Sequence, residues 1–479
     1  MCAQMEKFFD QVDKLGPDFK TRLSDAIQLE SVVTKVEEKK EMAESLKKQL
    51  SEFGANAQLY DPKDGLPPIV YAHYNTDQHD TKKTILVYGH YDVQPAGDGW
   101  SPDIPPFQLT EGERKDKKPC YFGRGSTDDK SPVLAWLNML QAHKAARVAV
   151  PVNIRFLFEG MEESGSKGLP NFIKNTDEGK ALFANVDAAC ISDNYWLGAG
   201  KPCLTYGLRG IAYFKATVTA RQNPLHSGIY GGTVYEPLTD LITLLSKLVD
   251  NKGNIKVPGM LDDVPPVTEE EKKGYECIDF QMSDLEAAIG NKSYIYDDRI
   301  ETLQHRWRWP SLSIHGIFGA DSSAESTTAI APEVTAKFSI RTVPNMKTDK
   351  IKNQVTKYLT EEFKKLNSKS QLTIDMTENG EYWVTDSKHK NFEAGKQATQ
   401  TIWGVRPDLT REGGSIPVAL DIQEGLGKDS QGNQKSLMLL PIGTALDGAH
   451  GPDENIPIKN YTKGTKLLGA YLHHFANAN

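Results

Sequence analysis

Apolar and polar positions along this chain follow two alternating rhythms. Short, largely apolar runs occupy residues 69–74, 84–88, 152–158, 186–191 and 437–442. Runs this short fit strands buried on both faces. Between them the period lengthens to that of a helix. Met42, Leu46 and Leu50 recur every fourth residue in 37–53, with Gly54 as the stop, and 132–145 forms an apolar helix. Further helices are predicted over 392–403 and 461–475. Helical stretches alternating with buried strands predict an α/β fold, a mostly parallel sheet covered by helices.

From 208 to 386 the rhythm changes. Residues 211–218, 312–317, 334–343 and 372–376 read as strands. Residues 237–250 and 347–366 read as helices, the second carrying Ile351, Val355, Leu359 and Phe363 on one face. With an acidic stretch at 253–309 set aside, the order β-α-β-β-α-β is that of a ferredoxin-like unit. The chain is therefore divided into a discontinuous catalytic domain, 1–207 with 387–479, and an inserted α+β domain, 208–386. At 479 residues it is too long for one simple core.

Composition narrows the function. A net charge of -8 argues against a broad nucleic-acid or anionic-membrane surface. No stretch reaches membrane-spanning length, and residues 1–10 lack an apolar leader core. Cys2, Cys120, Cys190, Cys203 and Cys277 are scattered, odd in number and form no CxxC pair, which argues against a disulfide framework and a thiolate zinc site. A reducing, cytoplasmic setting is the expectation.

The ends of the strand runs carry the chemistry. His90 and Asp92 follow the second run, Glu162 and Glu163 the third, Asp193 the fourth, and Asp447 and His450 the fifth. In such sheets the functional crevice lies beyond the carboxyl ends of the strands. Each motif alone has a plainer reading: His90–Asp92 as a satisfied strand end, Asp128–Asp129 as helix capping, the paired glutamates as surface charge. Their joint recurrence points instead to one site. Two histidines and three carboxylates without cysteine suit a pair of divalent metals in an N/O environment, Zn²⁺ or Mn²⁺. Asp128 is the chosen bridge, holding the metals about 3.5–4 Å apart. Asp128, Glu163 and Asp193 with one bridging hydroxide balance the four positive charges. That hydroxide is the expected nucleophile on an amide or peptide bond, with Glu162 as the base.

Seven segments extend the argument: His90-Tyr91-Asp92-Val93-Gln94-Pro95, Gly123-Arg124-Gly125 with Asp128-Asp129-Lys130, Met161-Glu162-Glu163-Ser164-Gly165-Ser166, Leu225-His226-Ser227-Gly228, Phe338-Ser339-Ile340-Arg341, Arg411-Glu412-Gly413-Gly414-Ser415-Ile416-Pro417 and Asp447-Gly448-Ala449-His450. Together they resemble the signature segments of the two-metal exopeptidases that include aminoacylase, carboxypeptidase G and the carnosine dipeptidases. Within that family the chain looks most like the cytosolic non-specific dipeptidases and the fungal Cys-Gly dipeptidases. The resemblance covers essentially the whole chain. It implies one metal held by His90, Asp128 and Asp193 and a second by Asp128, Glu163 and His450. Glu162 would be the general base and Asp92 the carboxylate that orients His90. His226 would reach into the partner subunit's site, and Arg341 would grip the substrate's C-terminal carboxylate, with Thr328 and Ser415 in the same substrate-binding set. On pattern alone, Arg341 is equally a polar-face strand residue. The inserted domain would serve as lid and homodimer interface. Asn223-Pro224 departs from the acidic residue usual in that family before the histidine. The implied activity is hydrolysis of small unblocked dipeptides, with Cys-Gly from glutathione breakdown as a main substrate. The alternatives are an N-acyl-amino-acid deacylase and a scaffold that kept the fold without the chemistry.

Overall fold

The computed structural model describes residues 3–74, 82–414, 416 and 418–478. Among these, a nine-stranded sheet forms the larger layer. Its centre is four parallel strands in the order Asn153–Glu159, Thr84–His90, Ala188–Ile191 and Ser436–Leu439. Antiparallel strands flank them: Ile69–Tyr74 and Asn56–Tyr60 on one side, Cys203–Leu208 on the other. Both faces are covered, and the strands divide their side chains between them by strict alternation. Ile85 and Val87, with Ile154, Phe156 and Phe158, enter one core under helices Ala3–Lys14, Val36–Glu52, Lys130–Ala146 and Ile458–Asn477. Leu86, Tyr88 and Leu157 enter the opposite core under Leu169–Asn175, Asp177–Phe183 and Ala419–Leu426. Burial of both alternating sets explains why these strands read as largely apolar runs, Asn153 and Arg155 being buried polar exceptions.

Helix Val36–Glu52 buries the predicted Met42, Leu46 and Leu50. Lys130–Ala146 begins two residues before its apolar stretch, so Pro132 sits in the first turn, where its missing N–H costs nothing. The segment around 111–118 is a hairpin of Thr110–Glu113 and Pro119–Phe122, extended by Asn455–Pro457.

The second sheet has four antiparallel strands in the order Ser311–Phe318, Glu333–Thr342, Gly210–Thr219 and Gln371–Gly380. Helices Pro237–Leu248 and Thr348–Lys365 pack on it through Leu241, Leu244, Ile351, Val355 and Leu359. This is the predicted ferredoxin-like order. The acidic stretch holds three helices, Glu269–Glu276, Met282–Ile289 and Arg299–Trp307. These do not join the four-stranded unit's core. Tyr275, Ile278, Phe280, Leu303 and Trp307 instead bury against Trp196, Leu197 and Cys203 beside the large sheet. No helix among the described residues is long and apolar enough to cross a membrane.

Candidate metal centre

The four central parallel strands end along one edge, and the predicted residues meet there. His90 closes its strand and is fully buried. Its Nε2 lies 3.1 Å from Asp128 Oδ1 and 3.6 Å from Asp193 Oδ2. On the far side of Asp128, Oδ2 lies 3.1 Å from His450 Nε2, which is also 3.1 Å from Glu163 Oε2. The result is two sets of three donors, His90–Asp128–Asp193 and Asp128–Glu163–His450, sharing one carboxylate. Within each set the donor atoms lie within 4.8 Å of one another.

Asp128 and Asp129 precede helix Lys130–Ala146, and Asp129 is its N-cap by position but makes no side-chain capping bond. Asp129 Oδ2 accepts from the His90 backbone N–H at 3.1 Å, an approach open because residue 89 is glycine. A Cβ there would sit 2.9 Å from that same oxygen and 2.5 Å from Val133. Asp92 does more than orient a ring. His90 Nδ1 lies 3.0 Å from the Asp92 main-chain carbonyl and 3.4 Å from its carboxylate. The two carboxylate oxygens also accept from the backbone N–H groups of Glu162 and Glu163, each at 3.2 Å. Asp92 thus couples the strand bearing His90 to the turn bearing both glutamates.

The electrostatics fit cations. Burial alone would raise Asp128, yet bonds from His450 and His90 hold it well below the usual carboxylate range. His450, bonded to Asp128 and Glu163, is held up to about 10. Burial pushes Asp193 up to about 7, with His90 opposing and Asp128 and Glu163 adding. Glu162 is pushed well above the carboxylate range by burial; His90 opposes this, and Asp193, Glu163 and Asp128 add to it. Protons on the imidazoles do here what divalent cations would do better, since deprotonated His and carboxylate are the ligand forms. Among the described residues Glu163 Oε1 is buried without a hydrogen-bond partner, so it can accept a ligand. The residues present therefore fit a two-metal cofactor.

Two residues overlooked in the sequence hold these loops together. Glu454 is fully buried and accepts from the backbone N–H groups of Gly125, Thr127 and Asp128 at 3.0–3.1 Å and from Arg124 at 2.5 Å. Arg124 in turn donates to the carbonyls of Pro95, Ala96, His450 and Gly451. The only available signal was that Arg124 and Glu454 sit within the recognised glycine-rich segments or just past them.

A cavity of about 440 Å³ opens onto the centre. Asp128, Glu162, Asp193 and His450 line its floor, and Phe280, Leu285 and Arg306 of the acidic insert form part of its wall. Glu412, Gly414 and Ile416 border it as well. Arg341, His226 and Thr328 do not line it. Arg341 lies on strand Glu333–Thr342 opposite Ile211 and Ser311, half-buried and within electrostatic reach of Glu412. His226 is exposed, pairs with Ala329, and accepts from the Gly228 N–H through Nδ1. Thr328 is exposed beside it, its carbonyl accepting from Ser227. Ser415 lies outside the described residues.

Residues 86–474 match the profile of peptidase family M20/M25/M40. The chain is 43% identical to the Cys-Gly metallodipeptidase dug1 of Schizosaccharomyces pombe, covering 100% of this chain and 99% of that protein. It is 41% identical to the human Beta-Ala-His dipeptidase over 86% of this chain and 78% of that protein. Among solved structures, the dipeptidase Dug1p from Saccharomyces cerevisiae superposes with a TM-score of 0.89 at 42% identity, covering 100% and 99% of the two chains. Human carnosine dipeptidase 1 does so with 0.88 at 37% identity, covering 99% of each.

Proposed function

The chain belongs to peptidase family M20/M25/M40 and is a metal-dependent dipeptidase, and on that premise we propose that it hydrolyses small dipeptides with free ends, Cys-Gly foremost. The observation that carries this reading is the pair of donor sets sharing Asp128, with Glu162 beside them on the cavity floor. His90, Asp128 and Asp193 would hold one divalent ion, and Asp128, Glu163 and His450 the other, as Zn²⁺ or Mn²⁺. When bound, such a pair acidifies a shared water and polarises the scissile carbonyl.

The chain's own residues do the rest. Glu162 takes the proton from the attacking water and returns it to the leaving amine. Burial, with Asp193, Glu163 and Asp128 adding and His90 opposing, raises its affinity for that proton. Asp92 fixes Glu162 by its backbone N–H, so the base and the ligand Glu163 are presented as one rigid turn. Arg341 and the Gly413–Ser415 loop take the substrate's C-terminal carboxylate, and His226 and Thr328 serve the partner subunit's site. The 208–386 unit acts as lid and homodimer interface. Ser311–Phe318 is an edge strand, and Ile229, Tyr230, Ile314 and Phe318 expose large apolar surface on that unit. The four described cysteines are all free, in keeping with a cytoplasmic setting.

The test is a turnover panel of Cys-Gly, other dipeptides, a tripeptide and an acetylated amino acid, before and after chelation. Dipeptide hydrolysis that vanishes with chelator and returns with Zn²⁺ or Mn²⁺ is expected. Turnover of the acetylated amino acid equal to that of dipeptides would replace this reading with deacylation.

A further inference from the structure

A second cavity, of about 600 Å³, opens where the acidic insert meets the large sheet. Helices Glu269–Glu276 and Arg299–Trp307 supply Glu270, Glu271, Tyr275 and Trp307 to it, and strand Asp408–Glu412 supplies Asp408 and Arg411. It shares no lining residue with the cavity over the metal centre. The strand pairs in parallel with Cys203–Leu208, and its register slips between Thr410 and Glu412, which leaves Arg411 without a partner residue in the ladder. Adjacent residues of this strand thus serve different cavities: Arg411 lines the second, and Glu412 borders the catalytic one.

The polar groups of this lining are unevenly matched. Its carboxylates all have partners. Asp408 holds Lys201 at 2.6 Å and accepts from the Asp279 backbone N–H at 2.8 Å. Glu271 lies 2.9 Å from Arg308 Nε, and Glu270, at the exposed rim, lies 3.4 Å from Lys388. Arg411 makes no hydrogen bond or ion pair among the described residues; its guanidinium lies 5.2 Å from the centroid of the Tyr206 ring. Tyr275 and Trp307 stack with centroids 6.1 Å apart and are 4% and 2% exposed. The Tyr275 hydroxyl and Trp307 Nε1–H are likewise without partners among the described residues. Burial pushes the Tyr275 hydroxyl up and Arg411 opposes, so the guanidinium is within electrostatic reach of that hydroxyl. Buried donors without acceptors are rare, and three around one cavity call for an oxyanion.

We propose that this cavity is a second ligand site, which takes a small carboxylate carried on a flat apolar body. The carboxylate meets the Arg411 guanidinium, whose planar fork matches two carboxylate oxygens, and the Tyr275 hydroxyl. The rings of Tyr206, Tyr275 and Trp307 take the flat body. The site needs neither the metals nor the dipeptidase reading, and it gives the insert a binding task of its own.

The experiment titrates the holoenzyme with benzoate, L-phenylalanine and benzamide by isothermal calorimetry, on the unaltered chain and on Arg411→Met, Arg411→Lys and Tyr275→Phe. At least one of the two acids should bind at one site per chain, and the uncharged amide about tenfold more weakly than benzoate or not at all. Binding of benzoate alone marks the occupant as an organic acid, and binding of phenylalanine as an amino acid. Removing the guanidinium should weaken binding about 10–100-fold, with lysine recovering part of the loss, and removing the hydroxyl about 3–10-fold. Metal content and the thermal midpoint identify a misfolded variant, and Arg411→Lys with Tyr275→Phe then carry the test. Binding that survives in every variant but vanishes with chelation would put the probe on the metal centre and overturn the proposal. Equal binding of benzoate and benzamide, or no binding of either acid at millimolar concentration, would overturn it too.

Discussion

Glu454→Gln tests whether the metal-site loops are held by the buried hub beneath them. Each oxygen of Glu454 serves two donors: Oε1 accepts from Thr127 and Asp128, and Oε2 from Gly125 and Arg124. A glutamine has one acceptor oxygen, so in either orientation its NH₂ faces two buried donors. Two unmet donors cost about 1–3 kcal/mol each. Arg124 also loses the charge of its buried partner, a break that costs about 3–5 kcal/mol on its own. The two effects overlap, so about 4–6 kcal/mol of stability should be lost. The site should suffer as well, because the Asp128 and His450 loops both hang on this pair. Partners of this kind change metal affinity by about 10–100-fold. Urea unfolding with chelator present reads the first effect free of metal linkage. Elemental analysis and competition with a chromophoric chelator read the second. Unchanged stability together with full metal loading would refute the assignment of Glu454 as the hub.

Three further outcomes follow from the same geometry. Glu162→Gln should lower kcat about 10²–10⁴-fold with metal content intact, as expected for a general base; loss of metal in step with activity would make Glu162 a ligand instead. If His226 acts across subunits, His226→Ala and Glu163→Ala should each be inactive yet recover part of the activity when dissociated and reassembled together, and absence of recovery in a confirmed mixed dimer would place the histidine elsewhere. His143 is buried against Phe8 at 4.1 Å and beside His473, and burial pushes its pKa down from 6.5 to about 4 with His473 adding. Above pH 6.5 its ring is neutral folded or unfolded. As pH falls from there to 4 only the unfolded chain gains the proton, so stability falls by about 1.4 kcal/mol per pH unit. His143→Gln should flatten the acid limb of a stability–pH curve by one proton, and an unchanged slope would show that this ring titrates normally.

Local pattern carried much of this molecule. Residues 84–88, 152–158 and 437–442 are buried from both sides, and a doubly covered strand is largely apolar, so these runs were visible as strands despite the buried Asn153 and Arg155. His90, Glu163, Asp193 and His450 follow strand runs because a parallel sheet aligns its carboxyl ends, and with Asp128 at a helix start they were legible as a group. The ferredoxin-like order was equally readable from its periods. The N-terminal helices were legible but unread: Met5, Phe8 and Val12 already show helical spacing, and they bury as that spacing requires.

Other features could not be read from order along the chain. Asp92 bonds the backbone of residues 70 and 71 positions away, and Glu454 binds loops more than 320 positions distant. Such bonds leave no period or motif, because a main-chain N–H looks alike at every residue. The insert appeared only as acidic surface, yet its buried aromatics fasten it to the catalytic layer and bring Arg306 to the cavity. The sequence settled which segments become strands and helices, since those depend on neighbours three or four residues away. The folded chain decided which side chains share a charge, because Coulomb and hydrogen-bond forces act over a few ångströms of space, whatever the separation along the chain.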